Sequence, residues 1–228
     1  MRRDSRSLRT VALALAGVLV LVLVLAQLLL PRLAASEISS RIGRYGSVRS
    51  VSVSAWPAVK LLWGSADSVH VDATRLALEP SQATKLLSEA HGVQNMDVHA
   101  SVVRVGSLAL SDATLSKRGS HLTGAASVAA TAVPAALPAG IEDVQLRHSA
   151  GGQVEVSARG SLLGVSASVD AVALARGGAL VAHPLGLLLE GLQLTLFSDP
   201  HLYIEGVGAT PTQPPPIGYR LTMSARLR

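Results

Sequence analysis

The sequence contains no cysteine among its 228 residues. This absence excludes disulfide bonds, lipidation of a cysteine, thiol catalysis and cysteine-ligated zinc. Aromatic side chains are also scarce, with two tryptophans, three tyrosines and one phenylalanine. A domain of this composition must therefore be stabilised mainly by burying aliphatic side chains over a large surface.

The chain also lacks a basic cluster outside its N-terminus. Residues 1–10 hold four arginines and one aspartate, which supply +3 of the net charge of +5. The remaining residues are almost neutral, whereas nucleic-acid binding requires basic side chains clustered on one face. We therefore predict no nucleic-acid partner.

The longest apolar run covers Val11–Leu30, twenty residues without a charged side chain. A helix of this length spans roughly 30 Å, which is the thickness of the hydrocarbon core of a bilayer. The arginines that precede the run favour a cytoplasmic N-terminus. We predict a cytoplasmic segment (1–10), a transmembrane signal anchor (11–30), a linker (31–35) and an extracytoplasmic domain (36–228). A cleaved signal peptide is an alternative, since small residues follow at 33–36, and a buried core helix is another.

Most of the chain after residue 45 alternates between apolar and polar side chains. Such alternation predicts strands with one buried face, and it is typical of antiparallel sheets. Glycine turns at residues 148–153 and 175–179 fit hairpins. The predicted fold class is α+β, mainly antiparallel β.

No motif for catalysis or cofactor binding is present. GxSxG, Walker A, GxGxxG and HExxH patterns are absent, and these are the patterns expected for common hydrolases, nucleotide-binding proteins and zinc peptidases. His70 with Asp72, and Asp97 with His99, each share a strand face, but a metal site needs three or four converging ligands. We predict no catalytic residue, no metal and no cofactor. An envelope enzyme without a known motif stays an open alternative.

Both tryptophans lie in the stretch "AWPAVKLLWGSADSVHVDA", which begins at Ala55. Pro57 can begin a short helix and Gly64 can end it. On an α-helix Val59, Leu62 and Trp63 share one side, and Trp56 can fold back onto the helix. Two interpretations follow: a plug for one end of a β-sheet core, or a surface that contacts lipid, because tryptophan favours the membrane–water interface.

The same stretch resembles the signature of the actinobacterial LmeA-like phospholipid-binding family. Its pattern is a proline, an apolar segment ending in glycine, and a V-x-V strand, which are matched here by Pro57, Leu61, Leu62, Gly64, Val69, Val71 and Asp72. Residues 137–160 resemble a later Leu-Pro, strand, glycine turn and V-x-V hairpin of that family. The common Phe-Pro-Phe of the family is Trp56-Pro57-Ala58 in this chain.

The resemblance implies an envelope protein that binds phospholipid, has no known catalytic residues and takes part in lipoglycan maturation. It also implies a tubular lipid-binding fold, in which a long curled antiparallel sheet wraps around a helix.

A second apolar surface is predicted on the strand that begins at Val165. Alternation places Val165, Ala167 and Val169 on one face, and small side chains there leave room for acyl chains. A curved sheet packed closely against helices is the alternative. The predicted lipid-binding residues are Trp56, Val59, Leu61, Leu62, Trp63, Val165, Ala167 and Val169.

Together these patterns predict a single-pass protein of the cell membrane whose C-terminal domain is extracytoplasmic. Its predicted partners are phospholipid and the membrane surface, and a protein partner in the envelope is possible. The alternative function is a non-catalytic structural or interaction β-domain of the envelope.

Overall fold

The computed structural model describes residues 26–27, 29–79, 82, 90–135, 141–149, 152–162, 165–185, 193–212 and 217–228. Helix α1 covers residues 26–27 and 29–43, and helix α2 covers Ala132–Ala135. Two short 3-10 helices cover Ala58–Trp63 and Ala90–Gly92. The strands are β1 Gly46–Ser54, β2 Ala66–Leu78, β3 Val93–Val105, β4 Leu108–Arg118, β5 His121–Ala129, β6 Ile141–Ser149, β7 Gln153–Leu162, β8 Val165–Arg176, β9 Ala179–Leu185, β10 Leu194–Phe197, β11 Leu202–Pro211 and β12 Gly218–Leu227.

These strands form two open sheets rather than the one long curled sheet that was expected. Sheet I has seven strands in the order β1-β2-β3-β4-β5-β12-β11, and sheet II has five in the order β10-β9-β8-β7-β6. In sequence, sheet II is an insertion between β5 and β11. The prediction of a mainly antiparallel β-fold with few helices is confirmed, because every adjacent strand pair except one is antiparallel.

The exception is the parallel pair of β2 and β3. Residues 79–92 connect these strands, and a crossover of this length permits parallel pairing. Alternation predicted only antiparallel pairs because buried parallel sheets usually contain continuous apolar runs. Here β2 keeps the alternation, because its residues His70 and Asp72 lie on a face that the core does not cover.

The predicted hairpins at the two glycine turns are confirmed. β6 pairs with β7 across residues 150–152, and β8 pairs with β9 across Gly177 and Gly178. Gly177 and Gly178 have φ angles of 61° and 86°, which lie in the region that favours glycine.

Sheet I has an inner face that carries Val69, Val71 and Ala73, all of which are buried. We call the end of this sheet at Ala66 the Trp end, because the tryptophan-rich stretch directly precedes it, and we call the end at Leu78 the far end. Ile42 of α1 packs on the inner face against the clusters that contain Val71 and Leu76, and just after α1 the carbonyl of Tyr45 accepts a hydrogen bond from the backbone N–H of Ala77 at the far end. The side chain of Gln27, in contrast, reaches the Trp end. Helix α1 therefore runs along the inner face from the Trp end towards the far end.

Sheet II packs on the other edge of the inner face, against β11. Ala209 of β11 contacts a buried cluster that contains Val154 and Ala173 of sheet II. At the turn between β8 and β9, the carbonyl of Gly178 accepts a 3.0 Å hydrogen bond from the backbone N–H of Ile204. Helix α1 and sheet II thus cover opposite edges of the same sheet.

In the part of the chain that the structure describes, no helix is both long enough and apolar enough to cross a bilayer. Of the predicted transmembrane segment 11–30, residues 11–25 and 28 lie outside the described residues.

Candidate lipid-facing surfaces

The tryptophans lie in a tight loop at the Trp end of sheet I, which we call the Trp loop (residues 55–64). Pro57 precedes a 3-10 helix over Ala58–Trp63, and Gly64 ends it with φ 70° and ψ 19° in the left-handed region. The short helix predicted between Pro57 and Gly64 is confirmed, but it is a 3-10 helix with about three residues per turn.

This period of three separates buried from exposed side chains in the loop. Ala58 is buried, and Leu61, one turn later, packs against a cluster that contains Val69 and Val71. Leu62 and Trp63 point away from the sheet, with 67% and 75% of their surfaces exposed. Ala58 and Leu61 therefore act as the plug, and Trp63 does not.

Trp56 is exposed as well. Its surface is 70% accessible, so it does not fold back onto the short helix as expected. Val59 is half-buried. The five residues predicted in this stretch do come together in one loop, and its outward side presents two tryptophans and a leucine.

Asp67 of β2 holds the loop by hydrogen bonds from its carboxylate. One oxygen accepts from the backbone N–H of Trp56 at 2.5 Å, and the other accepts from the ammonium of Lys60 at 3.1 Å. The bond from Trp56 and then the bond from Lys60 lower the pKa of Asp67. Asp67 therefore stays charged at neutral pH and fixes both ends of the segment between Trp56 and Lys60.

Gln27 of α1 holds the loop from the other side. Its Nε2 donates to the carbonyl of Ala55 at 3.0 Å, and its Oε1 accepts from the backbone N–H of Ala58 at 2.8 Å. Gln27 was not among the residues predicted from the sequence. A signal was available, since Gln27 is the one polar side chain in the apolar run Val11–Leu30.

A close backbone contact supports the end of the loop. Gly92 lies so near the carbonyl oxygen of Gly64 that a Cβ atom at residue 92 would overlap it. The turn before β3 therefore has to be glycine for the loop to keep this position.

The second predicted surface lies on β8. The register places Val165, Ala167, Val169, Ala171 and Ala173 on one face, although the side chains of Val165 and Ala167 lie outside the described residues. Ala173 is buried against sheet I, with 8% of its surface exposed, whereas Val169 is 42% exposed. The face thus changes from buried to open along the strand.

The two predicted surfaces are at opposite ends of the molecule. Ala175 packs on the cluster of Leu202 and Ile204 near the Trp end, whereas Ala173 packs on Ala209, two residues before the far end of β11. Val169 therefore lies beyond Ala173, at the far end. Since β2 has 13 residues and each adds about 3.3 Å, the Trp loop and this face are separated by roughly 40 Å.

An open cleft of about 520 Å³ lies elsewhere on sheet I and contains none of the predicted lipid-binding residues. Hydroxyl side chains and glycines line it, including Ser116, Thr123 and Gly206. Beside it, Arg118 binds both oxygens of Asp97 at 2.9 and 3.0 Å. This pair, followed by the hydrogen bond from Ser116, lowers the pKa of Asp97.

The carboxylates of the two histidine–carboxylate pairs noted in the sequence contact side chains of neighbouring strands on this polar face. Asp72 lies 3.3 Å from Arg49 and 3.5 Å from His99. Within the described ranges, no group of three or more histidine, aspartate or glutamate side chains is arranged to hold a metal ion.

The comparisons with known proteins agree with the resemblance seen in the sequence. The family model described as LmeA-like phospholipid-binding matches residues 22–225, which is nearly the whole chain. No curated protein and no solved structure gives a significant match. The matched range includes Gln27, the Trp loop and every strand apart from the last two residues of β12. The chain therefore belongs to the LmeA-like phospholipid-binding family.

Proposed function

We propose that the protein is a membrane-anchored, extracytoplasmic phospholipid-binding protein that acts in cell-envelope lipid or lipoglycan maturation. The family supports phospholipid as the ligand. The apolar run Val11–Leu30, preceded by arginines, supports the anchor and its orientation. The resemblance to the family supports the role in envelope maturation.

The observation that carries this proposal is the exposure of the Trp loop. Trp56 and Trp63 are two of only six aromatic side chains, and both face solvent. The backbone beneath them is held by Gln27 and Asp67. Large apolar side chains that are held in water do not stabilise a fold. In a lipid-binding protein, however, they provide a preformed surface for contact with lipid.

The open face of β8 is the proposed site for acyl chains. Each methylene group of an acyl chain that leaves water contributes about 0.8 kcal/mol to the free energy of binding. Val169 is partly exposed on this face, and the neighbouring positions on the same face are valine and alanine. Such a surface offers apolar area without the bulky side chains that would fill it.

A protein-interaction domain is the second candidate, and β10 favours it. All four residues of this edge strand are exposed, and they include Leu194, Leu196 and Phe197. Exposed apolar side chains on an unpaired strand edge are suited to a protein partner as well as to lipid.

Native mass spectrometry of the full chain, released from mild detergent, tests the proposal. We expect phospholipid to stay bound in a fixed ratio to protein after the micelle is removed. A chain that carries residues 1–35 alone provides the control, because it measures lipid that merely surrounds the membrane segment. If the full chain retains no more lipid than this control, even after incubation with phosphatidylglycerol and phosphatidylcholine vesicles, the interaction domain becomes the better reading.

A further inference from the structure

The side chain of Gln27 joins α1 to the Trp loop on both sides of the Trp56–Pro57 peptide. Its amide donates to Ala55 and accepts from Ala58, so both of its polar atoms bind backbone groups. An amide has a fixed planar geometry. The part of α1 around Gln27 and the loop are therefore held in one relative orientation.

The direction of α1 determines where the preceding chain is attached. Ile42, in the last turn of α1, packs towards the far end, and Gln27, among the first described residues of this helix, lies at the Trp end. Gln27 is also residue 17 of the twenty-residue apolar run. The apolar run is thus joined to the domain within hydrogen-bond distance of the Trp loop.

Exposed apolar side chains extend from the loop to the neighbouring part of α1. Leu29 and Leu33 of α1 are exposed, as are Trp56, Leu62 and Trp63, and Arg32 is exposed between the two leucines. Tryptophan and arginine are the side chains that concentrate where a transmembrane helix leaves the hydrocarbon core. This combination of side chains fits a bilayer surface with anionic headgroups better than it fits a folded protein.

From these observations we infer that the Trp end of sheet I is a bilayer-docking surface and that Gln27 is its positioning residue. The inference rests on the proposed function, because it takes Val11–Leu30 as the anchor. The anchor ends at the membrane interface, Gln27 links it to the loop, and Trp56, Leu62 and Trp63 enter the interface. Sheet I then stands end-on to the membrane, and its far end is held roughly 40 Å away.

This arrangement also explains why a polar side chain is present at residue 27 of the apolar run. An unpaired amide in an apolar environment is costly, but this amide has a hydrogen-bond partner for each polar atom. Because the loop is already fixed by Gln27, Asp67 and the Gly64 turn, docking does not have to order it. Loss of the two hydrogen bonds made by the Gln27 side chain is expected to release the loop without removing the anchor.

The test uses the full chain in liposomes of phosphatidylglycerol and brominated phosphatidylcholine, because bromine quenches nearby tryptophan. Both tryptophans of the chain lie in the Trp loop, so tryptophan fluorescence reports on the Trp loop alone. We expect strong quenching in the wild-type chain. In Gln27→Leu we expect the protein to remain in the membrane fraction while quenching falls several-fold.

A matched control is the double variant Gln27→Leu with Leu29→Gln. It restores the composition of the run but places the amide on an exposed position of α1, so quenching should stay low. Quenching as strong in Gln27→Leu as in the wild type would overturn the role of Gln27.

Absence of quenching in the wild type would overturn the docking surface and point to a protein partner for the loop. Failure of the proposed function has a separate signature, namely a chain that retains no phospholipid in the mass spectrometer.

Discussion

At the scale of single residues, Trp56 and Trp63 differ from the buried core side chains in what they contribute to the protein. Tyr219, Leu122 and Ile204 are almost fully buried, and their removal from water stabilises the fold. The tryptophans stay largely in water, so most of their apolar area remains available for a further interaction. Stability and membrane contact are therefore expected to depend on different residues.

The first prediction at this scale compares Trp56→Ala and Trp63→Ala with Leu122→Ala. Each tryptophan variant should change the free energy of unfolding by less than about 0.5 kcal/mol, because the side chain is exposed. Leu122→Ala should cost about 2–5 kcal/mol, because it leaves a cavity. Urea unfolding in detergent, monitored by circular dichroism, measures the free energy of unfolding of each variant.

The membrane contact of these variants is read from a single introduced cysteine. Because the chain has no native cysteine, Ser65→Cys beside the loop can carry one environment-sensitive fluorophore. In liposomes its emission should shift to the blue, and the double tryptophan variant should lose this shift, whereas Leu122→Ala should keep it. A blue shift that survives without either tryptophan would contradict their role in docking.

At the scale of elements, the Trp loop shows what local sequence could predict. Pro57 and Gly64 set the bounds of the short helix, and each acts through its own backbone preference. The exposure of the tryptophans was not predictable, because it depends on Asp67 and Gln27. These residues are 11 and 28 positions away from Trp56 and Ala55, their respective partners. An α-helical spacing also gave the wrong facing residues for a helix with three residues per turn.

The second prediction concerns the support of the loop by Gly92. Gly92→Ala should destabilise the protein by about 1–3 kcal/mol, because the new Cβ displaces the carbonyl of Gly64. The displaced loop should also show weaker quenching of tryptophan by brominated lipid.

Gly43→Ala is the matched control for this change. Residue 43 is the last helical residue of α1, and a Cβ there meets no atom within 4 Å. Since alanine is favoured over glycine in helices by up to about 1 kcal/mol, this variant should be neutral or more stable, with unchanged quenching. Equal effects of the two substitutions would show that the contact at Gly92 does not support the loop.

At the scale of the whole molecule, strand content could be predicted from the sequence but strand order could not. Alternation within β2 or β8 reports only which residues share a face. The division into two sheets depends on pairs such as Arg226 with His121, which join β12 to β5 across the whole of sheet II. No local pattern marks such a distant partner, and the resemblance to the family indicated a single sheet.

The same architecture places the two predicted lipid-binding surfaces at opposite ends of the fold. The Trp loop is beside Gln27 of α1, whereas Val169 lies at the far end of sheet I. A protein docked through its Trp end therefore presents the open face of β8 away from the bilayer surface. Docking on the membrane and holding an acyl chain become separable properties.

The last prediction tests this separation with Val169→Asp. A charge on the open face of β8 disfavours acyl chains, because the carboxylate would lose its hydration. We expect the phospholipid retained per chain in native mass spectrometry to fall several-fold, while quenching of the Trp loop by brominated lipid stays unchanged. Ser168→Asp is the matched control, since it adds the same charge at the preceding, exposed residue on the opposite face of the strand. It should leave both measurements unchanged. Undiminished lipid retention in Val169→Asp would remove β8 from the lipid site, and a parallel loss of quenching would mean that the two ends do not act independently.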